Sequence, residues 1–319
     1  MVTRSEDVAR TAGVSRATVS QILNGRGARF SPATRERVER IALDLGYQPS
    51  VAARALATGS SDIVIALIPN TTFHGNLQDL FERATDELAD RGLTLLLRFP
   101  TASAESLNRM VRGLHPRAVI SFTLFDSFER ELLERNGVLA VDPGPRAADD
   151  DVNRSIGCLQ AEHLIEKGHQ RLAFAHLHDA RDDPFGQARE AGVRDACRAA
   201  GLPDPLNVSV EINADSADAA LDSLAAPGVA IACYNDDVAT ALLAAGTRRG
   251  YRIPEDVALI GMDDTPLSAV TIPPLSTVHV DLEGAARSSI SRVIQGLGLT
   301  TTDPKPAENP LRVVVRGTT

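Results

Sequence analysis

The sequence predicts a small all-α headpiece followed by a two-lobe α/β domain with parallel sheets. Residues 1–58 contain short helical segments with capping and breaking residues, whereas from residue 63 onward short apolar runs alternate with amphipathic helical stretches. This alternation is typical of parallel sheets covered by helices on both faces. The roughly 260 residues after the headpiece exceed one ordinary core, and no long linker divides them, which favours two lobes.

Three helices are predicted in the headpiece. Ser5 and Ser15 are placed to cap the first two, the second of which covers residues 16–24. Ser31 is placed to cap a third helix with Pro32 at its first position. The apolar residues of each helix fall on one face, so the three helices share a core. The first two form a helix, a turn and a helix.

The outward residues at the start of the second helix are suited to reading DNA bases. Arg16, Ala17, Ser20 and Gln21 point away from the apolar face. A helix in the major groove reads with its N-terminal residues, and Arg pairs best with guanine, Gln with adenine, and Ala with a thymine methyl. The alternative is that any small three-helix domain also exposes an Arg and a Gln.

The charge of the chain is divided unevenly, which favours the DNA interpretation. Residues 1–59 carry nine arginines and five acidic residues, a net charge of +4, and the remainder carries −13, which together give the −9 of the whole chain. A cationic head on an acidic body suits phosphate contact at one end only.

The headpiece contains a distinctive set of short runs: Glu6-Asp7-Val8-Ala9, Ala12-Gly13-Val14-Ser15, Thr18-Val19-Ser20, Asn24, Thr34-Arg35, Val38 and Leu45-Gly46-Tyr47. Together these runs resemble one family of bacterial regulators, the lactose/galactose repressor (LacI/GalR) family. Residues 47–56 are similar to the hinge helix of that family, and family-like patterns recur to about residue 282. The resemblance implies a helix-turn-helix DNA-binding headpiece with a hinge helix, followed by a periplasmic-binding-protein-like effector domain.

The predicted hinge helix is too short to be stable by itself. An Ala-rich helix of fewer than ten residues is marginal in water by itself, so it needs a partner. If two copies pair across a two-fold axis, Ala53 permits close approach and Leu56 can wedge between base steps in the minor groove. The alternative is an ordinary linker helix with Leu56 packed on the body. The predicted DNA-binding residues are Thr3, Ser5, Ser15, Arg16, Ala17, Thr18, Ser20, Gln21, Asn24, Arg29, Tyr47, Ser50, Ala53, Arg54 and Leu56.

Two departures from the family pattern bear on the operator sequence more than on DNA binding itself. The family usually has Asn where this chain has Ser50, and commonly Arg where it has Gln21.

The predicted domains are a headpiece over residues 1–49, a hinge helix and linker over 50–59, and an effector-binding and dimerisation domain over 60–319. The N-lobe takes about 60–154 plus 281–298, and the C-lobe about 155–280 plus 309–319. Predicted strands are 63–68, 93–97, 118–121, 138–141, 172–175, 208–211, 229–233, 257–260 and 311–315. Predicted helices are 77–90, 104–113, 127–135, 157–167, 186–200, 217–224, 236–249 and 282–296.

Polar residues that follow the strands predict a ligand site between the lobes. Open α/β sheets bind ligands beyond the carboxyl ends of their strands. Arg189 adds a fork able to hold a carboxylate or paired hydroxyls, and 189–192, 235–236 and 261–264 look like the effector-binding segments of the family. The predicted effector-binding residues are Asn70, Phe73, His74, His176, Arg189, Asn235 and Asp263.

Asp236 directly follows Asn235, and Asp264 directly follows Asp263. For these two aspartates the alternative is that their carboxylates cap the start of a helix or a turn.

The composition of the site limits the class of ligand. Residues 211–224 hold no aromatic ring, where sugar- and purine-responsive members of the family usually place one, and the chain has no Trp. Val280 and the pair Phe73–His74 also depart from the family pattern. A ribose- or hexose-like effector held by hydrogen bonds stays the first prediction despite these departures, while a carboxylate-bearing metabolite or no small effector remain open.

The sequence gives little support for metal binding, disulfide bonds or catalysis. His176 and His178 supply only two clear metal ligands, so no metal site is predicted. The three cysteines are scattered and read as core thiols of a reducing compartment. Phosphate-binding loops and nucleophile elbows are missing, so neither an enzyme nor a cofactor is expected.

No signal-peptide core precedes residue 15 and no apolar run reaches transmembrane length, which predicts a cytoplasmic protein without membrane contact.

The sequence as a whole predicts a homodimeric regulator that binds double-stranded, pseudo-palindromic operator DNA. Because most members of the family it resembles are repressors released by an inducer, the resemblance implies that mode of control, while a corepressor would need only the opposite preference. A dimer through the lobes is expected because no Leu heptad tail follows the last strand. A switch by a protein partner is a second hypothesis. A two-lobe solute-binding protein is a third, which the headpiece and the missing signal peptide disfavour.

Overall fold

The computed structural model describes residues 3–23, 27–47, 61–68, 75–99, 104–144, 152–178, 185–300 and 311–319. The headpiece consists of helices α1 (Ser5–Ala12), α2 (Arg16–Leu23) and α3 (Pro32–Asp44), with a 3-10 turn at Gly27–Arg29. Each helix contributes a fully buried valine to one core, Val8, Val19 and Val38. Because each buried side chain contributes about 1.5–3 kcal/mol, these three contacts hold the helices together.

Two of the predicted caps are confirmed. The Oγ atom of Ser15 accepts from the Thr18 N–H at 3.0 Å, and the Oγ atom of Ser31 accepts from the Thr34 N–H at 3.3 Å. The prediction that Ser5 caps α1 is wrong. Ser5 is the first helical residue, and the Arg4 N–H donates to Asp7 Oδ2 at 3.0 Å. The helix begins one residue early because Asp7 is placed to accept from Arg4.

The first sheet is parallel, with strand order β2-β1-β3-β4. Its strands are β1 (Ile63–Leu67), β2 (Thr94–Arg98), β3 (Ala118–Ser121) and β4 (Leu139–Val141). Helices α4 (Gly75–Ala89), α5 (Ala104–Leu114) and α6 (Ser127–Arg135) alternate with them. Val64 packs in one core and Ile65 in another, so both faces of the sheet are covered, as predicted.

The second sheet has strand order β10-β9-β8-β7-β5-β6. Its strands are β5 (Leu172–Leu177), β6 (Leu206–Val210), β7 (Val229–Cys233), β8 (Val257–Met262), β9 (Ser276–Val280) and β10 (Leu311–Val314). The helices of this lobe are α7 (Val152–Glu166), α8 (Gly186–Ala199), α9 (Ala214–Ser223) and α10 (Asp236–Arg248). Helix α11 (Leu282–Gly296) returns to pack against α4 and β4 of the first lobe.

Strand β9 is the main difference from the sequence-based prediction. Its sequence mixes polar and apolar residues, Ser-Thr-Val-His-Val, so it does not present a continuous apolar run. It pairs in parallel with β8 and antiparallel with β10, which makes β10 the antiparallel edge of an otherwise parallel sheet. Helix α9 also begins three residues earlier than predicted, because Asn213 Oδ1 accepts from the Ser216 N–H at 2.8 Å.

Within the described parts of the chain, no helix has the length and apolar character needed to cross a membrane.

Candidate nucleic-acid interface and ligand site

The exposed face of α2 is formed as the sequence predicts. Val19 and Ile22 are buried, while Arg16, Ala17 and Ser20 are exposed on the opposite face. Thr18 and Gln21 are partly exposed at its border. The helix therefore offers polar side chains along one side.

Arg16 has a partner within the headpiece. Its Nη1 atom lies 3.1 Å from Glu6 Oε1 on α1, and the Arg16 side chain is 68% exposed. An ion pair this exposed contributes little to stability, so the guanidinium can exchange Glu6 for a base or a phosphate at small cost.

A second arginine lies beside α2. Arg29, at the end of the 3-10 turn, donates a hydrogen bond to Gln21 Oε1. Its guanidinium carbon lies 5.0 Å from the centroid of the Phe30 ring. Arg29 is exposed, so it extends the cationic side of the headpiece next to Gln21.

Other predicted DNA-binding residues hold the headpiece together. Thr3 Oγ1 donates to the Leu45 carbonyl at 2.9 Å, which ties the N-terminus to the end of α3. Tyr47 packs on the headpiece core, and its N–H donates to the Ala42 carbonyl at 2.8 Å. Five further predicted residues lie outside the described residues: Asn24, Ser50, Ala53, Arg54 and Leu56.

The polar centre of the second lobe is Arg189, in the first turn of α8. Its side chain is buried, its Nε donates to Asn153 Oδ1 at 3.0 Å, and its Nη1 donates to the Tyr234 carbonyl at 2.6 Å. The guanidinium carbon lies 4.6 Å from the Tyr234 ring centroid and 5.7 Å from that of Phe185. Two hydrogen bonds and two rings therefore fix its orientation.

Asp263 follows β8 and lies within electrostatic reach of Arg189. Its φ of +112° is rare for a residue other than glycine, and such strain is typical of functional positions. Burial raises the pKa of Asp263 to about 8, although the positive charge of Arg189 opposes the shift; Asp236 and Asp237 add to it. The carboxyl can therefore gain or lose a proton near neutral pH.

Asn235 caps α10. The interpretation of Asp236 as a cap is confirmed in part, because it accepts from the Thr265 N–H at the start of the 3-10 turn Pro266–Ala269, whereas the interpretation of Asp264 as a cap is wrong. Asn235 Oδ1 accepts from the Val238 N–H at 3.0 Å. Asp236 is buried and accepts from the Thr265 N–H, the Thr265 hydroxyl and the Thr277 hydroxyl at 2.8, 2.9 and 2.6 Å. The Asn precedes the helix by one residue, so it takes the cap and leaves Asp236 to bind the neighbouring loop and strand.

Asp264 has a different set of partners. Its Oδ1 accepts from Arg316 Nη2 at 2.6 Å, and its Oδ2 lies 3.1 Å from His279 Nδ1. Arg316 and His279 therefore hold this carboxylate, whereas Asp263 lies within electrostatic reach of Arg189.

The two histidines after β5 have separate partners. His176 Nε2 lies 3.1 Å from Glu190 Oε2, and its ring packs edge-on against Phe174 with centroids 4.7 Å apart. His178 Nε2 lies 3.8 Å from Glu211 Oε1. The structure thus places Arg189 against Tyr234, the neighbour of Asn235 in the chain, and within electrostatic reach of Asp263, while His176 contacts Glu190 and Phe174. Asn70, Phe73 and His74 lie outside the described residues.

Three further residues at or near these sites were not predicted from the sequence: Tyr234 and Asn153 in the second lobe and Asp142 in the first. Tyr234 and Asn153 hold Arg189, and no local pattern marks either of them because they reach it from distant parts of the chain. Asp142, which directly follows β4, is buried and accepts from the Phe125 N–H at 3.0 Å. Its position at the carboxyl end of a strand is the same signal that identified Asp263.

A groove of about 280 Å³ lies between the β6–α9 loop and α10. It is lined by Ile212, Asn213, Ala214, Asp237, Thr240, Ala241, Ala244 and Arg248. Ile212 and Ala214 come from the stretch that lacks an aromatic ring, so this wall is aliphatic and polar.

The molecule thus combines a three-helix headpiece, built around a helix-turn-helix, with two α/β lobes and a buried arginine at the end of one sheet. Residues 6–50 match the family described as "Bacterial regulatory proteins, lacI family", and residues 161–319 match the family described as "Periplasmic binding protein-like domain". The combination is that of a DNA-binding regulator with a sensor-like domain.

Individual relatives agree with both matches. The chain is 32% identical over 324 residues to the HTH-type transcriptional regulator CelR of Thermobifida fusca, covering 94% of this chain and 93% of the relative. It is 30% identical over 292 residues to the ribose operon repressor of Escherichia coli (strain K12), covering 86% of this chain and 87% of the relative. The chain belongs to the LacI family of DNA-binding transcriptional regulators, which are not enzymes.

Solved structures support the same fold. The structure of a transcriptional regulator CelR–cellobiose complex superposes on this chain with a TM-score of 0.64 and 27% sequence identity. The superposition covers 99% of this chain and 100% of the chain in that structure. The structure of a lac repressor dimer bound to operator and the anti-inducer ONPF superposes with a TM-score of 0.76. This superposition covers 100% of this chain and 99% of the chain in that structure. At 22% identity the second similarity shows the fold alone.

Proposed function

We propose that this protein is a homodimeric repressor whose affinity for a pseudo-palindromic operator is changed by a small, polar, carbohydrate-like effector bound between the lobes. The observation that carries the proposal is the fixed guanidinium of Arg189, which lies within electrostatic reach of Asp263 at the carboxyl end of β8. Relatives support it, because one solved regulator is a complex with cellobiose and another relative is named as the ribose operon repressor.

The chemistry of the pair suits a polyol. A guanidinium supplies only donors, whereas a carboxylate supplies only acceptors and a carboxylic acid supplies one donor as well. Each hydroxyl of a sugar both donates and accepts, so neighbouring hydroxyls can pair with Arg189 and Asp263 at once. The groove that Ile212 and Ala214 line has no aromatic side chain among its lining residues, so a sugar there would be held by polar groups such as Asn213 and Asp237 without ring stacking.

Dimerisation through the lobes has candidate surfaces in both of them. In the C-lobe, Leu267, Val270 and Ile272 are 69%, 70% and 88% exposed. In the N-lobe, β2 is an edge strand, and Leu97 and Phe99 at its end are 44% and 59% exposed. Large exposed apolar groups mark interaction surfaces, and we propose that a second copy covers them. The lac repressor relative is described as a dimer.

Regulation requires the effector to prefer one arrangement of the lobes. A ligand that binds two arrangements equally changes no equilibrium, so the effector must distinguish the DNA-competent state from the other. We place the N-lobe at about 60–154 plus 281–298 and the C-lobe at about 155–280 plus 309–319, with the hinge helix at 50–59. Closure or rotation of the lobes would then change the spacing of the two headpieces.

The test is a fluorescence anisotropy titration of the full-length protein on its selected operator, repeated with a panel of pentoses, hexoses and disaccharides. At least one sugar is expected to shift the operator Kd, and Arg189→Ala and Asp263→Asn should abolish that shift while leaving sugar-free DNA binding intact. Arg194→Ala is the matched control, since Arg194 lies on the same helix and pairs with Glu190.

The other hypotheses give different results. A response to metabolite carboxylates alone, lost in Arg189→Ala, would replace the sugar with an anionic effector. Unchanged regulation in cells carrying Arg189→Ala or Asp263→Asn would contradict the ligand site and favour a protein partner as the switch.

A further inference from the structure

The contact between Arg29 and Gln21 bears on which base the headpiece reads. Gln21 lies one turn beyond Ala17 on the exposed side of α2, and Arg29 comes from the turn that follows this helix. Arg29 donates to the Oε1 atom of Gln21, so the oxygen of the amide faces the arginine. The two side chains form one unit at the edge of the DNA-reading face.

The turn that carries Arg29 is held in place independently of Gln21. The Phe30 N–H donates to the Gly27 carbonyl at 2.9 Å, and the guanidinium of Arg29 lies over the Phe30 ring. Gly27 is buried, and a Cβ there would come within 3.4 Å of the Ile22 Cα and 3.1 Å of the Arg35 Cδ. The turn therefore packs directly on the backbone of α2, which places Arg29 beside Gln21.

The direction of this hydrogen bond matters for base recognition. To read adenine, a glutamine accepts from the N6 amino group through its oxygen and donates to N7 through its amide nitrogen. In this chain the Gln21 oxygen is directed to Arg29, and its Nε2 atom offers donors. Arg29 adds only donors, because a guanidinium has no acceptor.

A surface made only of donors fits guanine. Guanine shows two acceptors in the major groove, N7 and O6, whereas thymine shows one acceptor beside a methyl group, adenine shows one acceptor and one donor, and cytosine shows a donor. We propose that Gln21 and Arg29 act together as a donor-only unit that reads a guanine in the major groove, and that Gln21 does not select adenine. The proposal rests on the docking of α2 in the major groove.

The experiment is in vitro selection from a randomised half-site library, with full-length protein and each variant. Wild type should select guanine at one position of the half-site. Gln21→Ala and Arg29→Ala should each weaken that preference about tenfold at the same position, and the double variant should add little because the two residues act as one unit. Arg16→Ala should change a different position.

Three further variants sharpen the assignment. Gln21→Glu keeps an oxygen for Arg29 but removes the Nε2 donors, so it should lose the guanine preference. Arg29→Lys should keep most of the overall affinity and lose the preference, because an ammonium lacks the planar fork. Arg37→Ala, at another exposed headpiece arginine, should leave the base preferences unchanged. These residues are all at least partly exposed, and circular dichroism melts confirm folding of each variant.

The outcomes separate this inference from the docking of α2. Loss of an adenine preference in Gln21→Ala, or an equal loss of affinity for all sequences in Arg29→Ala, would overturn it, and the latter would make Arg29 a phosphate contact. A change in Arg16→Ala with none in Gln21→Ala or Arg29→Ala would overturn the guanine unit alone. No change in any of the three would overturn the docking of α2 as well.

Discussion

Gly157 on α7 lies directly against the backbone of Arg189 on α8. A Cβ at Gly157 would come 1.9 Å from the Arg189 carbonyl oxygen, and a Cβ at Gly192 would come 2.0 Å from the Arg154 carbonyl oxygen. The two helices can therefore cross this closely only because both positions are glycine. The crossing fixes the helix that carries the arginine of the ligand site.

Gly157→Ala is expected to lower the free energy of unfolding by about 1–3 kcal/mol, because the methyl group meets backbone and cannot be accommodated by a side-chain movement. Chemical denaturation of the full chain measures the change. Gly113→Ala is the matched control, since Gly113 is also helical and a Cβ there meets nothing within 4 Å. That variant should be neutral or more stable, and equal losses in both variants would contradict the close crossing.

Asp263→Asn is expected to change how stability depends on pH. The folded-state pKa of about 8 lies above the value of about 3.9 expected in the unfolded chain. The stabilisation is therefore complete below about pH 4 and is lost as pH rises toward about 8, because the unfolded chain releases its proton first. Asn mimics the protonated carboxyl and does not titrate, so the melting temperatures of wild type and variant should be similar at pH 4.5 and separate as pH rises to 8.5, with the wild type becoming the less stable of the two. A constant difference would show that Asp263 has no raised pKa.

Asp236→Asn is expected to destabilise the C-lobe by about 1–3 kcal/mol. Three donors from Thr265 and Thr277 converge on this carboxylate, and an amide would turn one N–H group toward a donor. Urea unfolding of the variant measures the loss. The exposed Asp86→Asn on α4 is the comparison, and an effect of the same size there would argue against the buried network.

Leu56→Ala is expected to weaken binding to the operator far more than binding to random duplex. The minor-groove wedge is a prediction from the sequence, since Leu56 lies outside the described residues. Gel-shift titrations with both duplexes provide the measurement. Equal losses on the two would favour a linker helix packed on the body.

Much of the fold follows from local signals in the sequence. The bounds of β3, β7 and α6 were predicted to the residue, because apolar runs with clear breaks mark the strands and Asp126 with Glu129 forms a capping box at the start of the helix. Strand β9 was not predicted, because Thr277 and His279 interrupt its apolar pattern and because two prolines lie shortly before it.

The ligand site was predicted less completely, because some of its residues are brought together only by the tertiary fold. Arg189 and Asp263 stand at strand or helix ends, where topology marks them. Their neighbours Asn153 and Tyr234 reach the guanidinium from distant parts of the chain, through a side chain and a backbone carbonyl that carry no sequence pattern. Which residue caps α10 likewise depended on where the helix begins, because a helix that starts at Asp236 has Asn235 as its cap.

The central claim is that the cationic headpiece recognises a particular duplex. The most direct measurement is anisotropy of the full-length protein with the duplex recovered by selection and with a random duplex, at moderate salt, with and without candidate sugars. The selected duplex should bind at least about 10³-fold more tightly. Equal affinity for both duplexes under every condition would contradict the account.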